Sequence, residues 1–348
     1  MEINEFDYHL PAGLIAQSPV SQRDSSRLLV LDRNTERIKH TFFFRLDEYF
    51  MSGDVLVVND TKVMPAKFFG HKETGGKVEV LLLRQLNNPQ HPNEKNIWEA
   101  LIKCSKNPKR GSRIFFGSEF QAQVLHQKEG GLWDIQLNYD GDFDKVLEQY
   151  GTTPLPPYIK RGDSSQEPLD RKSYQTIFAK MMGSVAAPTA GLHFTENLIN
   201  RLQQKGITIL TITLHVGLGT FQPVRTKNIE NHRMHYEHYE VSSKTAQEIL
   251  SAHKQGRRVI AVGSTSVRVI ETLMQKKPSL KGSTNLFVCP GYDFKITNGM
   301  VTNFHLPKST LLMLVAAFAG KDLIFRAYQE AIANKYRFYS YGDAMLIL

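Results

Sequence analysis

The 348-residue sequence is poor in cysteine: Cys104 and Cys289 are the only two, and they form no C-x-x-C pair. A disulfide framework and a thiolate zinc site are both excluded within one chain, and a reduced, cytoplasmic compartment is expected. Long apolar runs are also missing. The longest, Leu311 to Ala319, falls well short of the roughly 20 residues that span a bilayer, so no membrane partner is expected. The first residues, Met1-Glu2-Ile3-Asn4, are acidic and polar, unlike a signal peptide. No internal repeat and no low-complexity tract is visible.

The chain is 41% hydrophobic, enough to fill a core of about two domains at roughly 100 to 200 residues each. Its net charge is +9, and the excess is uneven. Residues 1–67 carry −2, residues 68–152 carry 0 and residues 153–348 carry +11. A positive field over the C-terminal half suggests an anionic partner.

Residues 28–31, 37–44 and 54–58 read as strands. Six short alternating strands follow at 67–71, 77–84, 97–103, 113–116, 120–126 and 132–138, with no helix between them, which predicts a small antiparallel β-barrel. The polar stretch Asn87 to Asn96 reads as a loop within it. After Gly151 to Pro157 the pattern alternates: helices at 170–180 and 195–205, a strand at 207–214, a helix at 243–255, a strand at 258–262, a helix at 265–275 and a strand at 284–289. Helices at 309–319, capped by Ser309, and 322–334, capped by Asp322, complete it. The alternation predicts an α/β fold with a mostly parallel sheet. Three leading strands are too few to stand alone, so residues 1–66 and 153–348 are read as one discontinuous α/β domain, and residues 67–152 as the inserted barrel domain.

Four segments combine glycine, proline, histidine and hydroxyl residues at element ends, where α/β folds place their sites. They are Ser184 to Phe194; His215 to Val224; Val259 to Arg268; and Pro290 to Tyr292 with Thr302 to Thr310. Each also has a plain structural explanation: a tight connection, a packed strand-end histidine, an ordinary βα cap or a polar residue satisfying backbone. In the second the third glycine of G-x-G-x-x-G is missing and no helix opens, so a dinucleotide fingerprint is not supported. In the third, free amides at a helix N-terminus favour a carboxylate or phosphate. His232, His235 and His238 share no face on a helix or a strand, so no metal is expected. Tyr336 to Asp343 mixes a cation with aromatics suited either to stacking on bases or to packing on the core.

Taken in order, further blocks complete a pattern: Leu14-Ile15-Ala16-Gln17, Gln22-Arg23-Asp24-Ser25-Ser26-Arg27-Leu28, Asn59-Asp60-Thr61-Lys62-Val63-Met64-Pro65-Ala66, Thr153-Pro154-Leu155-Pro156-Pro157-Tyr158-Ile159, Ala187 to Phe194, Thr302 to Thr310 and Tyr336 to Asp343. The whole resembles the S-adenosylmethionine:tRNA ribosyltransferase-isomerases of queuosine biosynthesis nearly end to end. One departure is that Lys295 to Gly299 lacks the acid that usually precedes Thr302. The resemblance implies an α/β domain with an inserted barrel. It also implies transfer of the ribosyl moiety of S-adenosylmethionine, a consumed substrate with no further cofactor, to 7-aminomethyl-7-deazaguanine at a tRNA wobble position, giving epoxyqueuosine, adenine and methionine.

For the base and acid of such a reaction the candidates are His193, then His215 and His305, because imidazoles titrate near the working pH. Thr189, Gly191, Ser264, Thr265 and Arg268 are candidates for binding S-adenosylmethionine, and Arg337, Tyr339 and Tyr341 for RNA. A monomer is expected. An S-adenosylmethionine-dependent RNA methyltransferase and a non-catalytic RNA-binding module are the alternatives; the first would want a Gly-rich loop after an early strand, the second only the basic half. The sequence leaves open the identity of the base, the tRNAs used, the oligomeric state and the role of the barrel.

Overall fold

Continuously buried strands whose alternate side chains enter two opposite layers organise the larger sheet. A computed structural model describes residues 1–86, 96–162, 164–217, 224, 226–275 and 279–348. Most of the loop expected at Asn87 to Asn96, and residues 218–223 of the second glycine segment, lie outside the described residues. The strands are β1 (Arg27–Asp32), β2 (Arg37–Phe42), β3 (Val55–Asn59), β4 (Thr61–Val63), β5 (Lys67–Lys72), β6 (Lys77–Gln85), β7 (Ile97–Cys104), β8 (Arg113–Phe115), β9 (Phe120–Gln127), β10 (Leu132–Tyr139), β11 (Met181–Ser184), β12 (Thr208–Leu214), β13 (Glu237–Glu240), β14 (Val259–Val262), β15 (Lys281–Thr284), β16 (Gly299–Asn303) and β17 (Ala344–Ile347). The α-helices are α1 (Phe143–Tyr150), α2 (Glu167–Ser173), α3 (Glu196–Gln204), α4 (Ser243–Lys254), α5 (Gly263–Thr272), α6 (Thr310–Ala319) and α7 (Lys321–Ala333).

Nine strands form one mixed sheet in the order β15-β13-β12-β3-β14-β16-β17-β1-β2. Pairing is parallel through β12, β3, β14 and β16 and again between β17 and β1, with antiparallel pairs elsewhere. In β1, β3 and β14 alternate residues serve opposite layers, as a sheet covered on both faces requires. Leu29, Leu31, Val57 and Ala261 pack with residues of α4, α5, α6 and α7. Leu28, Val30, Leu56 and Ile260 pack with Phe43, Leu46 and α3 residues Leu198 and Leu202. The second body is the predicted barrel, closed in the order β10-β7-β6-β5-β8-β9, its interior filled by residues such as Phe68, Val80, Phe120 and Trp133.

Several boundaries differ from expectation. Strand β2 stops at Phe42, and a 3-10 turn over Phe43–Tyr49 follows, because Phe43 and Leu46 must both reach the same buried layer. The helix expected at 170–180 is α2, which ends at Ser173; Tyr174 and Thr176 turn inward. The strand expected at 284–289 is β15, ending at Thr284. Ser309 caps α6, accepting from the Leu312 amide at 3.2 Å, whereas α7 starts after Gly320, without a side-chain cap from Asp322. Short strands β4, β11, β13, β16 and β17 and helix α1 were not signalled by periodicity.

The chain passes from sheet to barrel and back through neighbouring strands: Lys67 N–H donates to Thr152 O (3.2 Å) and Thr152 N–H to Lys67 O (2.8 Å). At the return, a methyl group on Gly151 would collide with the Pro65 carbonyl oxygen. Gly151→Ala should therefore cost at least about 2 kcal/mol through forced backbone displacement, read as a lower urea midpoint at unchanged m-value. Wild-type stability in this variant would show that the approach is not a constraint.

Candidate active site at the carboxyl rim of the sheet

The parallel strands β3, β12, β14 and β16 end on one rim, where open α/β sheets bind ligands. A cleft of about 40 Å³ there is lined by Pro188, Thr189, Val216, Gly263 to Thr265, Thr302, Asn303 and His305, among others. Each of the four segments singled out in the sequence contributes to it, the second through Val216 and the fourth through Thr302, Asn303 and His305. Helix α5 begins at Gly263, whose φ of +82° favours glycine, and no side chain among the described residues caps it. Its amides thus remain available to an anion. Thr265, also on the cleft wall, is 5% exposed, and among the described residues its Oγ1 has no hydrogen-bond partner.

A second cavity, of about 330 Å³, is bounded by Ser18 to Ser21, Arg23, Leu169, Lys172, Ser173, Leu192, His193 and Ser340 to Gly342. A chain of buried side chains joins the two spaces. Thr189 Oγ1 donates to Asn303 Oδ1 (3.0 Å). Asn303 Nδ2 donates to Tyr339 O (3.2 Å) and lies 3.0 Å from His193 Nε2. Because the carbonyl of Tyr339 only accepts, the amide orientation is fixed, so Nε2 accepts and His193 Nδ1–H donates to Ser26 Oγ at 2.7 Å. The network thus assigns a neutral imidazole, stacked on Phe43 at a ring distance of 5.0 Å. Burial, reinforced by Arg337 and Arg23, holds its pKa down at about 3.

His305, on the cleft, is also buried and its pKa is likewise held down at about 3 by desolvation. Its Nε2 shares a 2.8 Å hydrogen bond with Thr302 Oγ1, its backbone N–H donates to Tyr328 Oη (2.9 Å), and its carbonyl accepts from the Tyr8 hydroxyl. His215 stands farther along the rim. Thr61 Oγ1 bonds its Nδ1 at 2.8 Å, and the ring lies so close over Gly183 that a Cβ there would fall 2.8 Å from Cε1. Burial lowers its pKa, helped by His238 and opposed by Glu240.

Thr189, Ser264 and Thr265 thus face the cleft. Gly191 instead serves packing, since a side chain there would press on Thr176 at 3.0 Å. Arg268 is buried beneath the cleft. Its guanidinium is ion-paired with Glu237 and donates to Leu286 O (3.1 Å) and Thr284 O (3.2 Å), so its charge is already matched. Arg337 donates to Ser18 O. Tyr339 packs against Tyr158 at 4.8 Å, and Tyr341, on the cavity wall, donates to Asp170 Oδ1 at 3.3 Å. Both tyrosines are buried, and Asp343 ties this segment down by accepting from the amides of Arg27 (2.9 Å) and Arg337 (2.8 Å).

Ser26, Asn303, Arg23 and Lys172 belong to the site but were not among the sequence candidates. Ser26 and Asn303 lay within segments already marked, whereas Lys172 had no local signal. The stretch Lys295 to Gly299 is held by the buried carboxylate of Glu271, which accepts from the amides of Lys295 (2.9 Å), Ile296 (3.2 Å) and Thr297 (3.0 Å). Among the described residues, no three His, Cys, Asp or Glu side chains converge to hold a metal, and no helix is long and apolar enough to cross a membrane.

A family model described as "Queuosine biosynthesis protein" matches residues 3–347. Proteins named S-adenosylmethionine:tRNA ribosyltransferase-isomerase are similar over 100% of both chains, with 50% identity for that of Caldanaerobacter subterraneus subsp. tengcongensis and 49% for those of Halothermothrix orenii and Staphylococcus epidermidis. A crystal structure of S-adenosylmethionine tRNA ribosyltransferase from Thermotoga maritima is 35% identical, with a TM-score of 0.55, covering 99% of this chain and 100% of that one.

Two imidazoles held neutral have a consequence for stability. Their folded pKa values, about 3, lie below the unfolded value of about 6.5, so the unfolded chain takes up protons first as pH falls. Stability is then complete above about pH 6.5 and is lost toward pH 3, at about 1.4 kcal/mol per pH unit for each imidazole. Lowering the pH from 7.5 to 5.5 should cost about 3 kcal/mol in urea unfolding from this pair. A His305→Asn variant should lose about half that increment, and an unaltered pH dependence in the variant would contradict the assignment.

Proposed function

The chain belongs to the queuosine biosynthesis protein family, and we propose that it transfers and isomerises the ribosyl moiety of S-adenosylmethionine onto 7-aminomethyl-7-deazaguanine at a tRNA wobble position. The observation that carries this reading is the rim itself: four separate loops converge on a cleft with an uncapped helix N-terminus and an unpartnered buried hydroxyl. An anionic group fits there. In this reading the carboxylate of the methionine end meets the α5 amides, Ser264 and Thr265, with Thr189 beside it. Arg268 and Gly191 support the site from beneath. The larger cavity, beyond His193, takes the acceptor base, and Arg337, Tyr339 and Tyr341 shape its wall from within. Residues 67–152 are an inserted barrel domain on the α/β domain of residues 1–66 and 153–348, and the enzyme works as a cytoplasmic monomer.

The sulfonium acidifies the 5′ carbon, and a base takes that proton. The sugar opens as adenine leaves with its bonding electrons, protonated by an acid. That opening turns the carbanion into a 4′,5′-vinyl sulfonium and C1′ into an aldehyde. The aminomethyl nitrogen adds to C4′ and gives up a proton, re-forming a sulfur ylide at C5′, and this carbon bonds to C1′ while the aldehyde oxygen displaces methionine from C5′, closing the epoxide of epoxyqueuosine. His193 is the first candidate base because its neutral imidazole stands on the wall between the cleft and the larger cavity. Its Nε2 is the ring nitrogen that carries the lone pair, and His215 and His305 follow as base or acid. Burial of the site protects the ylide from water.

Adenine release from S-adenosylmethionine in the presence of tRNA carrying the aminomethyl base should be slowed by deuterium at the 5′ position. His193→Ala that still folds and binds both substrates should lose about 10² to 10⁴ in rate. Thr265→Val should raise KM for S-adenosylmethionine about tenfold while leaving KM for tRNA unchanged, as expected for a lost bond to a charged group. Full turnover in the His193 variant would pass the role to His215 or His305, and no adenine release from the wild type would end the reading.

A further inference from the structure

Of the sequence candidates for RNA contact, Tyr339 and Tyr341 are buried and Arg337 is half-buried with its guanidinium on Ser18 O, so the exposed cations near the larger cavity bear on RNA contact as well. The strip running from the mouth of the larger cavity across residues 169–182 to β4 has a distinctive make-up. Lys172 and Lys180, and Lys62 on β4, are all exposed, and none of the three forms an ion pair among the described residues. Half-buried cations beside the strip are matched, Arg171 with Glu167 (3.5 Å) and Lys67 with Glu79 (3.2 Å). The acidic groups along the strip are withdrawn. Asp170 is buried against Arg161, and Asp60, which feels the charge of Lys180, is buried with its Oδ1 accepting from Thr213 Oγ1 at 2.6 Å.

Between the lysines stand large apolar side chains open to solvent: Leu169 (54% exposed), Met181 (48%), Met182 (39%) and Ile177 (38%). The strip is held firmly. Arg23, on the cavity wall, donates to the carbonyls of Gln175 (2.6 Å) and Lys172 (2.8 Å). Gln175 in turn accepts from Val63 N–H (2.9 Å) and donates to Val63 O (3.2 Å), and β11 pairs with β4 so that Met182 stands beside Lys62. Unmatched cations alternating with exposed apolar side chains on a fixed backbone, beginning at a cavity large enough for one base, suit an unpaired stretch of RNA: phosphates meet the ammonium groups, and bases and sugars lie on the apolar ones.

We propose that this strip is the surface along which the anticodon loop lies, with Lys172 at the cavity mouth beside the reacting nucleotide and Lys180 and Lys62 on the flanking phosphates. The proposal rests on the tRNA-modifying reading above.

The test is binding of a tRNA transcript across a series of salt concentrations, together with steady-state adenine release from the modified tRNA. The triple variant Lys62→Glu, Lys172→Glu, Lys180→Glu should reduce the slope of log affinity against log salt by about 2 to 3, near 0.7 to 0.9 per lost phosphate contact. It should also raise KM for tRNA at least tenfold with KM for S-adenosylmethionine unchanged. Single Lys→Gln variants should each lower the slope by just under about 1, which secures the result should the triple variant misfold. A control on the opposite layer, Lys244→Glu with Lys254→Glu on α4, should leave the slope unchanged. An active wild-type enzyme whose strip variants keep the wild-type slope, or whose α4 control loses as much, overturns the surface alone. Salt-dependent tRNA binding without adenine release overturns the activity instead.

Discussion

The complete pairing of the Asn303 side chain is the constraint on which the rim depends. An amide carries one acceptor group and two donors, and burial without partners costs about 1 to 3 kcal/mol per unsatisfied group. Here the oxygen receives Thr189, and the nitrogen serves both Tyr339 and His193. One side chain at the end of β16 therefore ties together the loop after β11, the segment before β17 and the histidine of the wall between the two cavities. The tautomer of His193, its contact with Ser26 and the separation of cleft from cavity all follow from the orientation of that amide.

Uncharged imidazoles in such a setting are held by desolvation more than by neighbours. Arg23 and Arg337 add to the effect at His193, and both arginines are anchored to main-chain carbonyls. The same cations that disfavour an imidazolium give the cavity a positive lining, so a neutral base and an anionic substrate are compatible in one place.

The barrel was legible because its information is local. Each strand alternates over a few residues, and four of the six pairings join strands consecutive in the chain, while β5 with β8 and β7 with β10 close it over longer stretches. The central strands β3, β12 and β14 were legible for a different reason, their uninterrupted apolar composition. Strands β16 and β17 were not: Gly299-Met300-Val301-Thr302-Asn303 is too short and mixed for a period, and β17 becomes a strand by pairing with β1 from the other end of the chain. At the site, the glycine-rich loops announced themselves, and their convergence could be expected of a parallel sheet. Burial could not be read in the same way. Tyr339 and Tyr341 look like stacking residues in sequence, yet their rings lie inside; Lys172 and Lys180 look ordinary until the structure shows which cations have no partner. Arg268 was correctly expected near the start of α5, but Glu237, which engages its charge, stands in a strand that periodicity did not reveal.

The reciprocal bonds between Lys67 and Thr152 bear on how such a chain acquires its fold. A stretch running from residue 67 to 152 would ordinarily impose a loop-closure entropy on the sheet that flanks it. Once the barrel has formed, its entry and exit strands lie side by side, and the sheet experiences the whole stretch as a hairpin of negligible span. The barrel draws largely on contacts between strands consecutive in the chain, the kind that form early, while the sheet must join β3 to β12 around the whole barrel and β1 to β17 across most of the chain. The insertion thus shortens the effective distance that the slower part must search, so that an element interrupting the larger fold also eases its assembly.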